Sequence, residues 1–324
     1  MTEDELIASI RERLRDVTAE RLLVGIGDDA AVWQPSRRNR SVITTDALVE
    51  GVHFTRASMS ARDAGHRALA SNLSDIAAMG ARPVLATVAL GIPPATDPGW
   101  LLEMYDGIAA LAQRARCAVA GGDLTRAPAI TLAITVIGEV RASNLKTRAG
   151  ARPGDVLALT GPLGGSRAGL ALALDRPDLA ADPAHAGVLA RFRTPEPRLA
   201  EGRWLGASRH VRALMDVSDG LSTDLLRLCA ASGTGATIDQ VPVDEGARRV
   251  AALAGADAER WALEGGEDFE LLAAVERRAF AHLALRFRAR FGRELLRAGS
   301  VTADGGVRLA GGIAVTAAGW DHLR

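Results

Sequence analysis

Leu6, Ile7, Ile10 and Leu14 recur at helical spacing and predict an amphipathic helix over residues 3–17. The β-branched run Ser41–Asp46 predicts a strand ending on two hydroxyls and a carboxylate, Thr44, Thr45 and Asp46. Leu69, Leu73 and Ile76 form the stripe of a helix that Ser60 and Asp63 cap as a box and that Gly80 and Pro83 end. Strands are expected over Val84–Leu90, Cys117–Ala120, Ile130–Val140, Val156–Thr160, Ala213–Val217, Ala236–Val241 and Phe269–Val275. Helices are expected over Trp100–Arg116, Pro197–Leu205, Leu221–Ala231, Glu245–Leu253 and Ala279–Phe291, and the stretch Leu179–Gly187 reads as a loop. Strands thus alternate with helices, which predicts an α/β (α+β) chain. No GxGxxG follows the first strand, so a dinucleotide fold is disfavoured.

The polar, Gly- and Pro-containing stretch Arg141–Pro153 divides the chain into domains at 1–140 and 150–324. Two domains suit 324 residues with 48% hydrophobic and 24% charged content. Lys+Arg 39 balance Asp+Glu 39, so no basic surplus points to nucleic acid or a membrane surface. The acidic N-terminus is no secretory signal, no apolar run is long enough to span a bilayer, and a cytoplasmic protein is expected. Cys117 and Cys229 stand alone and read as small buried hydrophobes. Lys146 is the only lysine, and Leu145 precedes it, so no Gly-Lys-Ser/Thr phosphate loop exists.

Acids cluster at turns and strand ends. Asp28 and Asp29 sit in Gly25-Ile26-Gly27-Asp28-Asp29-Ala30-Ala31-Val32, followed by Asp46, then Asp75 in Asn72-Leu73-Ser74-Asp75. Asp123 ends Gly121-Gly122-Asp123, where two glycines let backbone amides approach a ligand, and Asp216 and Asp219 flank Asp216-Val217-Ser218-Asp219-Gly220. Taken singly, each of these also reads as a plain turn or a solvated acid. If several converge, two like charges at about 4 Å repel by about 4 kcal/mol at an effective dielectric of about 20, so cations must compensate. Carboxylates and hydroxyls without a Cys/His set select Mg²⁺, Mn²⁺ or Ca²⁺; the Ca²⁺ loop pattern is absent, and Mg²⁺ is commonly completed by substrate phosphates. Several Mg²⁺ joining an acidic protein to anionic substrates implies phosphoryl transfer by positioning and charge neutralisation, with no covalent nucleophile. Gly161–Ser166, between a strand and a helix, is also phosphate-compatible, as any such turn is.

These motifs, with Gly51-Val52-His53-Phe54, Ile76-Ala77-Ala78-Met79-Gly80 and Gly265-Gly266-Glu267-Asp268-Phe269-Glu270-Leu271, together resemble those of the thiamine-monophosphate kinases, in order and spacing over nearly the whole chain. The resemblance implies the two-domain aminoimidazole-ribonucleotide-synthetase-like fold, with an N-terminal metal- and nucleotide-binding domain that pairs in a homodimer. It implies transfer of phosphate from ATP to thiamine monophosphate, giving thiamine diphosphate. It implies Asp29, Thr44, Thr45, Asp46, Asp75, Asp123, Asp216 and Asp219 as Mg²⁺ ligands. Tyr105, Gly121, Gly122, Arg148 and Ser218 are implied for ATP, and His53, Glu267 and Trp320 for thiamine monophosphate. Phe269 stands where the family often has Tyr, and a Tyr usual near Trp320 is missing. Both changes keep an aromatic shape and lose a hydroxyl. The alternatives are another ATP-dependent enzyme of the superfamily, such as aminoimidazole-ribonucleotide synthetase, or a non-catalytic Mg-nucleotide-binding regulator. A selenophosphate-synthetase-like reading wants a reactive cysteine near the N-terminus, and the first is Cys117. A hydrogenase-maturation relative would end in a cysteine motif, where this chain has Asp321-His322-Leu323-Arg324.

Overall fold

The structure, a computed structural model, describes residues 2–26 and 30–319, so the readings on Asp28, Asp29 and Trp320 lie outside the described residues. The chain divides into two compact units, Met1–Ile76 with Ala81–Ala142, and Ala77–Gly80 with Ser143–Arg324.

In the first unit α1 (Glu3–Leu14) opens with a capping box between Thr2 and Glu5. The short strands β1 (Leu22–Val24) and β2 (Val32–Trp33) pair antiparallel and flank the Gly25–Ala31 stretch. Then follow β3 (Asn39–Val49), α2 (Ala61–Ala78, its last two residues in the second unit), β4 (Arg82–Ile92), α3 (Pro98–Ala115), β5 (Ala118–Arg126) and β6 (Thr131–Arg141). The four long strands form one sheet, β3-β6-β4-β5, antiparallel except for β4 and β5, which α3 connects. The expected box on α2 is present: Asp63 N–H donates to Ser60 Oγ at 3.1 Å, and Ser60 N–H to Asp63 Oδ2 at 3.4 Å. Helices α2 and α3 pack backbone to backbone at two glycines. A Cβ on Gly65 would lie 1.9 Å from the Met104 carbonyl oxygen, and one on Gly107 2.0 Å from that of Arg62. Glu139, buried on β6, ties the strand pair to the sheet by accepting from Arg21, Asn39, Arg82 and the Ser36 amide.

Two strands run further than their patterns suggest. β3 continues to Val49, so Thr44, Thr45 and Asp46 sit mid-strand, because β6 offers backbone partners along the whole length. β5 continues through Gly121-Gly122-Asp123 to Arg126, with a bulge after Val119. Gly122 is required there, since a Cβ would lie 2.0 Å from the Val88 carbonyl oxygen.

The second unit contains β7 (Val156–Leu159), α4 (Gly165–Asp175), α5 (Pro177–Ala180), α6 (Ala186–Arg193), α7 (Leu199–Gly206), β8 (Val211–Asp216), α8 (Leu221–Ser232), β9 (Gly235–Ile238), α9 (Glu245–Ala254), α10 (Ala258–Glu264), β10 (Leu271–Val275), α11 (Arg277–Phe291), β11 (Leu296–Thr302), β12 (Gly306–Leu309) and β13 (Ala314–Val315). Its sheet runs β13-β12-β9-β11-β7-β10-β8, and only β12 and β9 pair parallel. Period-two alternation sends side chains to two covered faces. Ala213, Met215, Leu272 and Ala274 pack with Leu221, Leu225 and Leu228 of α8, while Leu214, Leu271, Ala273 and Val275 pack with Leu205 of α7 and Leu283 and Phe287 of α11. Burial on both faces explains why these strands read as unbroken apolar runs. The expected loop Leu179–Gly187 is instead α5, a 3₁₀ turn and the start of α6. Val188 and Leu189 are buried against Ala168, Leu172 and Val250, a tertiary reward that a local pattern does not display. β10 starts at Leu271 rather than Phe269, because Phe269 has φ +50.

Candidate active site

Strand alternation sorts the candidate residues of the first unit by face. Val42, Thr44, Asp46 and Leu48 are covered to varying degrees, while Ser41, Ile43, Thr45 and Ala47 are exposed on the opposite face. Helix α2 lies on the first of these faces. The Thr44 hydroxyl donates to Asp75 Oδ2, and the Asp46 amide donates to Asn72 Oδ1 at 3.1 Å. Asn72 is itself fully buried and donates to the Ala68 carbonyl at 3.0 Å, so its side chain braces strand to helix. Thr44, Asp46 and Asp75 are therefore brought together, and Asn72 is the functional neighbour that motif reading quoted without a role.

Thr45 and Asp123 are not part of that group. The Thr45 hydroxyl faces the other way, donating to the Ile134 carbonyl and accepting from Thr135 Oγ1, both at 3.1 Å. Asp123 is aligned with Ala89, Ala133 and Ala47, one row along and on the exposed face. Three inter-strand steps of about 4.8 Å between β3 and β5 put it about 14 Å from Asp46. Gly121 has open space where a side chain would stand. His53 is half-buried, and its Nδ1 accepts the Val49 amide at 3.1 Å, which leaves the neutral ring's proton on Nε2. Tyr105 is buried on α3, only 3% exposed, and desolvation raises its pKa.

In the second unit β8 delivers Asp216, 3% exposed, to a turn leading into α8. Asp224, which sequence reasoning missed, organises that turn. Its Oδ2 accepts the Ser218 and Asp219 amides at 3.0 and 2.9 Å. Burial lifts its carboxyl to about 6, the Asp219 charge adding and Arg227 opposing. The available signal was an acid in the first helical turn, five residues after Asp219. Arg227 bonds Asp219 and, at 2.9 Å, Asp224 Oδ1. The Gly265–Phe269 segment is laced to the same turn: the Glu267 amide donates to the Ser218 carbonyl at 2.7 Å and the Phe269 amide to that of Val217 at 3.0 Å. Glu267 and Phe269 both have left-handed φ, +66 and +50. Gly266 is needed for the contact, since a Cβ would lie 2.5 Å from the Ser218 carbonyl oxygen. The Gly319 amide donates to Thr223 Oγ1 at 3.1 Å, so the described chain ends beside this turn. Arg148 is exposed, and its carbonyl accepts from Ser232 Oγ at 3.0 Å. Lys146 is a structural tie, donating to the Ser208 and Val211 carbonyls at 2.9 and 2.8 Å.

The glycine turn before α4 is already filled by the protein's own anion. Asp268 accepts the Gly164 amide at 2.6 Å and the Ser166 amide at 2.9 Å, so the phosphate-compatible reading of Gly161–Ser166 gives way to a side-chain cap. Burial pushes the Asp268 carboxyl up to about 7, the two amides pulling it down and the Glu270 charge adding to the rise. An unfolded aspartate titrates near ~3.9, so between these limits the native state binds the proton more tightly. This group is therefore expected to subtract stability as pH rises from about 4 to about 7. In Asp268→Asn that slope should shrink in a urea-midpoint series against pH; an unchanged slope would mean that Asp268 does not titrate there.

The donors on hand suit a hard cation: carboxylates and a hydroxyl, with no sulfur donor. Among the described residues no three His, Cys, Asp or Glu side chains form a complete metal cluster.

Sequence comparison agrees with this architecture. The family model for the N-terminal domain of AIR synthase related proteins matches residues 27–140, and that for the C-terminal domain matches 152–310. These matches and the two-unit α/β fold define the class. A thiamine-monophosphate kinase from Synechococcus elongatus is 39% identical over 254 residues, covering 76% of this chain and 75% of that protein. The crystal structure of thiamine-monophosphate kinase from Stenotrophomonas maltophilia K279a superposes with a TM-score of 0.85 at 35% identity, over 97% of this chain and 98% of that one. AaThiL complexed with AMPPCP and TMP gives a TM-score of 0.79 at 28% identity, over 99% and 96%. The chain belongs to the thiamine-monophosphate kinase family.

Proposed function

We propose that the protein transfers the γ-phosphoryl group of ATP to thiamine monophosphate by direct in-line displacement, giving thiamine diphosphate and ADP, and that it works as a homodimer. Family membership supports the reaction, and the grouping of Thr44, Asp46 and Asp75 around the Asn72 brace supports the site. Bound Mg²⁺ would neutralise and align the phosphate oxygens of both anionic substrates. Thr44, Asp46 and Asp75, with Asp29 from the Gly-rich stretch, are assigned to Mg²⁺ in the first unit, and Asp216 and Asp219 are assigned to Mg²⁺ in the second. Ser218, Gly121, Gly122, Tyr105 and Arg148 are assigned to ATP. His53, with its proton on Nε2, suits a phosphate oxygen of thiamine monophosphate. Glu267 suits the cationic thiazolium, and Trp320, the residue after Gly319, suits stacking on it.

The dimer reading draws on the exposed face of the first sheet, where Ile43 is 66% exposed beside Thr45, Ala47 and Ala89. An apolar face of small residues on a sheet is suited to a second copy. Asp123 and Thr45 lie on that same face, so they are the members of the metal set that subunit pairing would bring into play. Ile43→Arg is expected to convert the dimer to monomer in analytical ultracentrifugation; a dimer of unchanged affinity would move the interface elsewhere.

The direct test is ADP release from Mg-ATP with and without thiamine monophosphate, with the product identified. ADP that depends on thiamine monophosphate, with thiamine diphosphate formed, carries the proposal. Mg-ATP binding without stimulation, or stimulation by formylglycinamidine ribonucleotide instead, would overturn it.

A further inference from the structure

Strand β8 ends in opposite chemistry at its two termini. Leu271 lies opposite Asp216 at the carboxylate turn, and Val275 lies opposite Val211 at the other end. Five residue steps separate these ends, about 17 Å. At the Val211 end an open concavity of about 440 Å³ is lined by Arg152, Arg209, His210, Arg212, Glu276 and Arg278.

Charge there is far from balanced. Four guanidiniums share one carboxylate in the lining, Glu276, with Asp155 behind it. Glu276 accepts from His210 Nδ1 at 2.7 Å and meets Arg278 Nε at 2.6 Å and Arg212 at 3.5 Å. Asp155 meets Arg212 at 3.6 Å and accepts the Arg152 amide at 2.9 Å. Both carboxylates are thus engaged, and among the described residues neither Arg209 nor Arg152 forms an ion pair through its side chain. Arg212 and Glu276, 25% and 18% exposed, make a floor, whereas Arg278 at 81% stands on the rim. Helix α11 starts here with Glu276 as its N-cap and no side-chain hydrogen bond to its first turn, so its N–H groups add positive potential.

We propose that this concavity binds a compact phosphoanion, either free pyrophosphate or the diphosphate tail of a nucleotide, at a site separate from the Asp216–Asp219 turn. Guanidinium forks match phosphate oxygens two at a time. The volume lies within the range of small-ligand sites. Among the described residues no Phe, Tyr, Trp or aliphatic side chain lines it, so recognition rests on the anion and not on an attached ring.

The test is calorimetric titration of inorganic pyrophosphate, and separately of ADP, into the full chain with a chelator present to exclude Mg²⁺. Wild type should bind pyrophosphate, and Arg209→Ala with Arg278→Ala should weaken it by about tenfold or more. Glu276→Gln, which removes the competing carboxylate, should tighten it by about threefold or more. A parallel loss for ADP in the double variant assigns the nucleotide tail to the same site, while an unchanged ADP affinity assigns the site to the free anion. Turnover of the double variant should stay within about twofold of wild type. No pyrophosphate binding by wild type, or equal binding by the double variant, overturns the proposal. Should the double variant misfold, hydrogen exchange on the wild type decides: pyrophosphate should slow the amides of residues 209–212 and 277–280, and no slowing there overturns it equally.

Discussion

Asp46→Asn is expected to lower kcat by about 1000-fold or more, with the fold intact. In the proposed role Asp46 would hold Mg²⁺, and losing its charge would withdraw several kcal/mol of transition-state stabilisation, each factor of ten being about 1.4 kcal/mol. The exchange is close to isosteric, and the Asp46 amide keeps its bond to Asn72 because that contact uses the backbone. Turnover and melting temperature should therefore separate, the first collapsing and the second moving little. Thr45→Val is the internal contrast. Its hydroxyl pairs with Thr135 on the opposite face, so within this chain it cannot supply the oxygen set around Asp75. A kcat for Asp46→Asn within about tenfold of wild type would remove this residue from the metal set.

The second large effect is on stability. Glu270 is fully buried and gathers three arginines: Arg198 at 2.6 and 2.9 Å, Arg293 at 2.9 and 3.2 Å, and Arg191 at 3.4 Å, with the Thr160 hydroxyl at 2.7 Å. Burial works against its charge, but Arg198 and then Arg293 and Thr160 win, and its pKa is held below the ordinary glutamate value. Its contribution is thus present above about pH 4.3 and lost only as acid drives pH through that lowered value. Glu270→Gln strands the guanidiniums without their shared anion, and breaking a buried ion pair from one side costs about 3–5 kcal/mol. Chemical denaturation of the second unit should show that loss as a lower midpoint at unchanged m-value. A loss under about 1 kcal/mol would mean that Glu201 and Asp244, which already meet Arg293 and Arg191 at 3.5 and 3.4 Å, take over the charge.

Glu270 also shows where sequence reading stops. Within Gly265–Leu271 it is indistinguishable from its neighbours Glu267 and Asp268, yet the three acids do different things. Glu270 is a buried structural anion, Asp268 caps α4, and Glu267 is held at a left-handed backbone position against the Ser218 carbonyl. Spacing alone carries no such distinction, because the partners lie from 23 to 110 residues away in sequence. Asp224 escaped notice for a different reason, since its donors Ser218 and Asp219 lie only six and five residues away. In Leu221–Ser232 it looks like a first-turn acid on an ordinary helix, and only the returning turn gives it two amides to accept.

The order of motifs, the oxygen-only donor chemistry and the absence of a phosphate-loop lysine were legible from the chain by itself, and with them the family and its reaction. So were the capped α2 and the apolar strands of the second unit, because capping and short unbroken apolar runs act over a few residues. The tertiary structure alone decided how long β3 and β5 run, since neighbouring strands provide the hydrogen bonds that extend them. It also decided that Thr44 and Thr45, adjacent in sequence, serve opposite faces. A pleated strand turns successive side chains through half a circle, and which face meets α2 is settled only by packing.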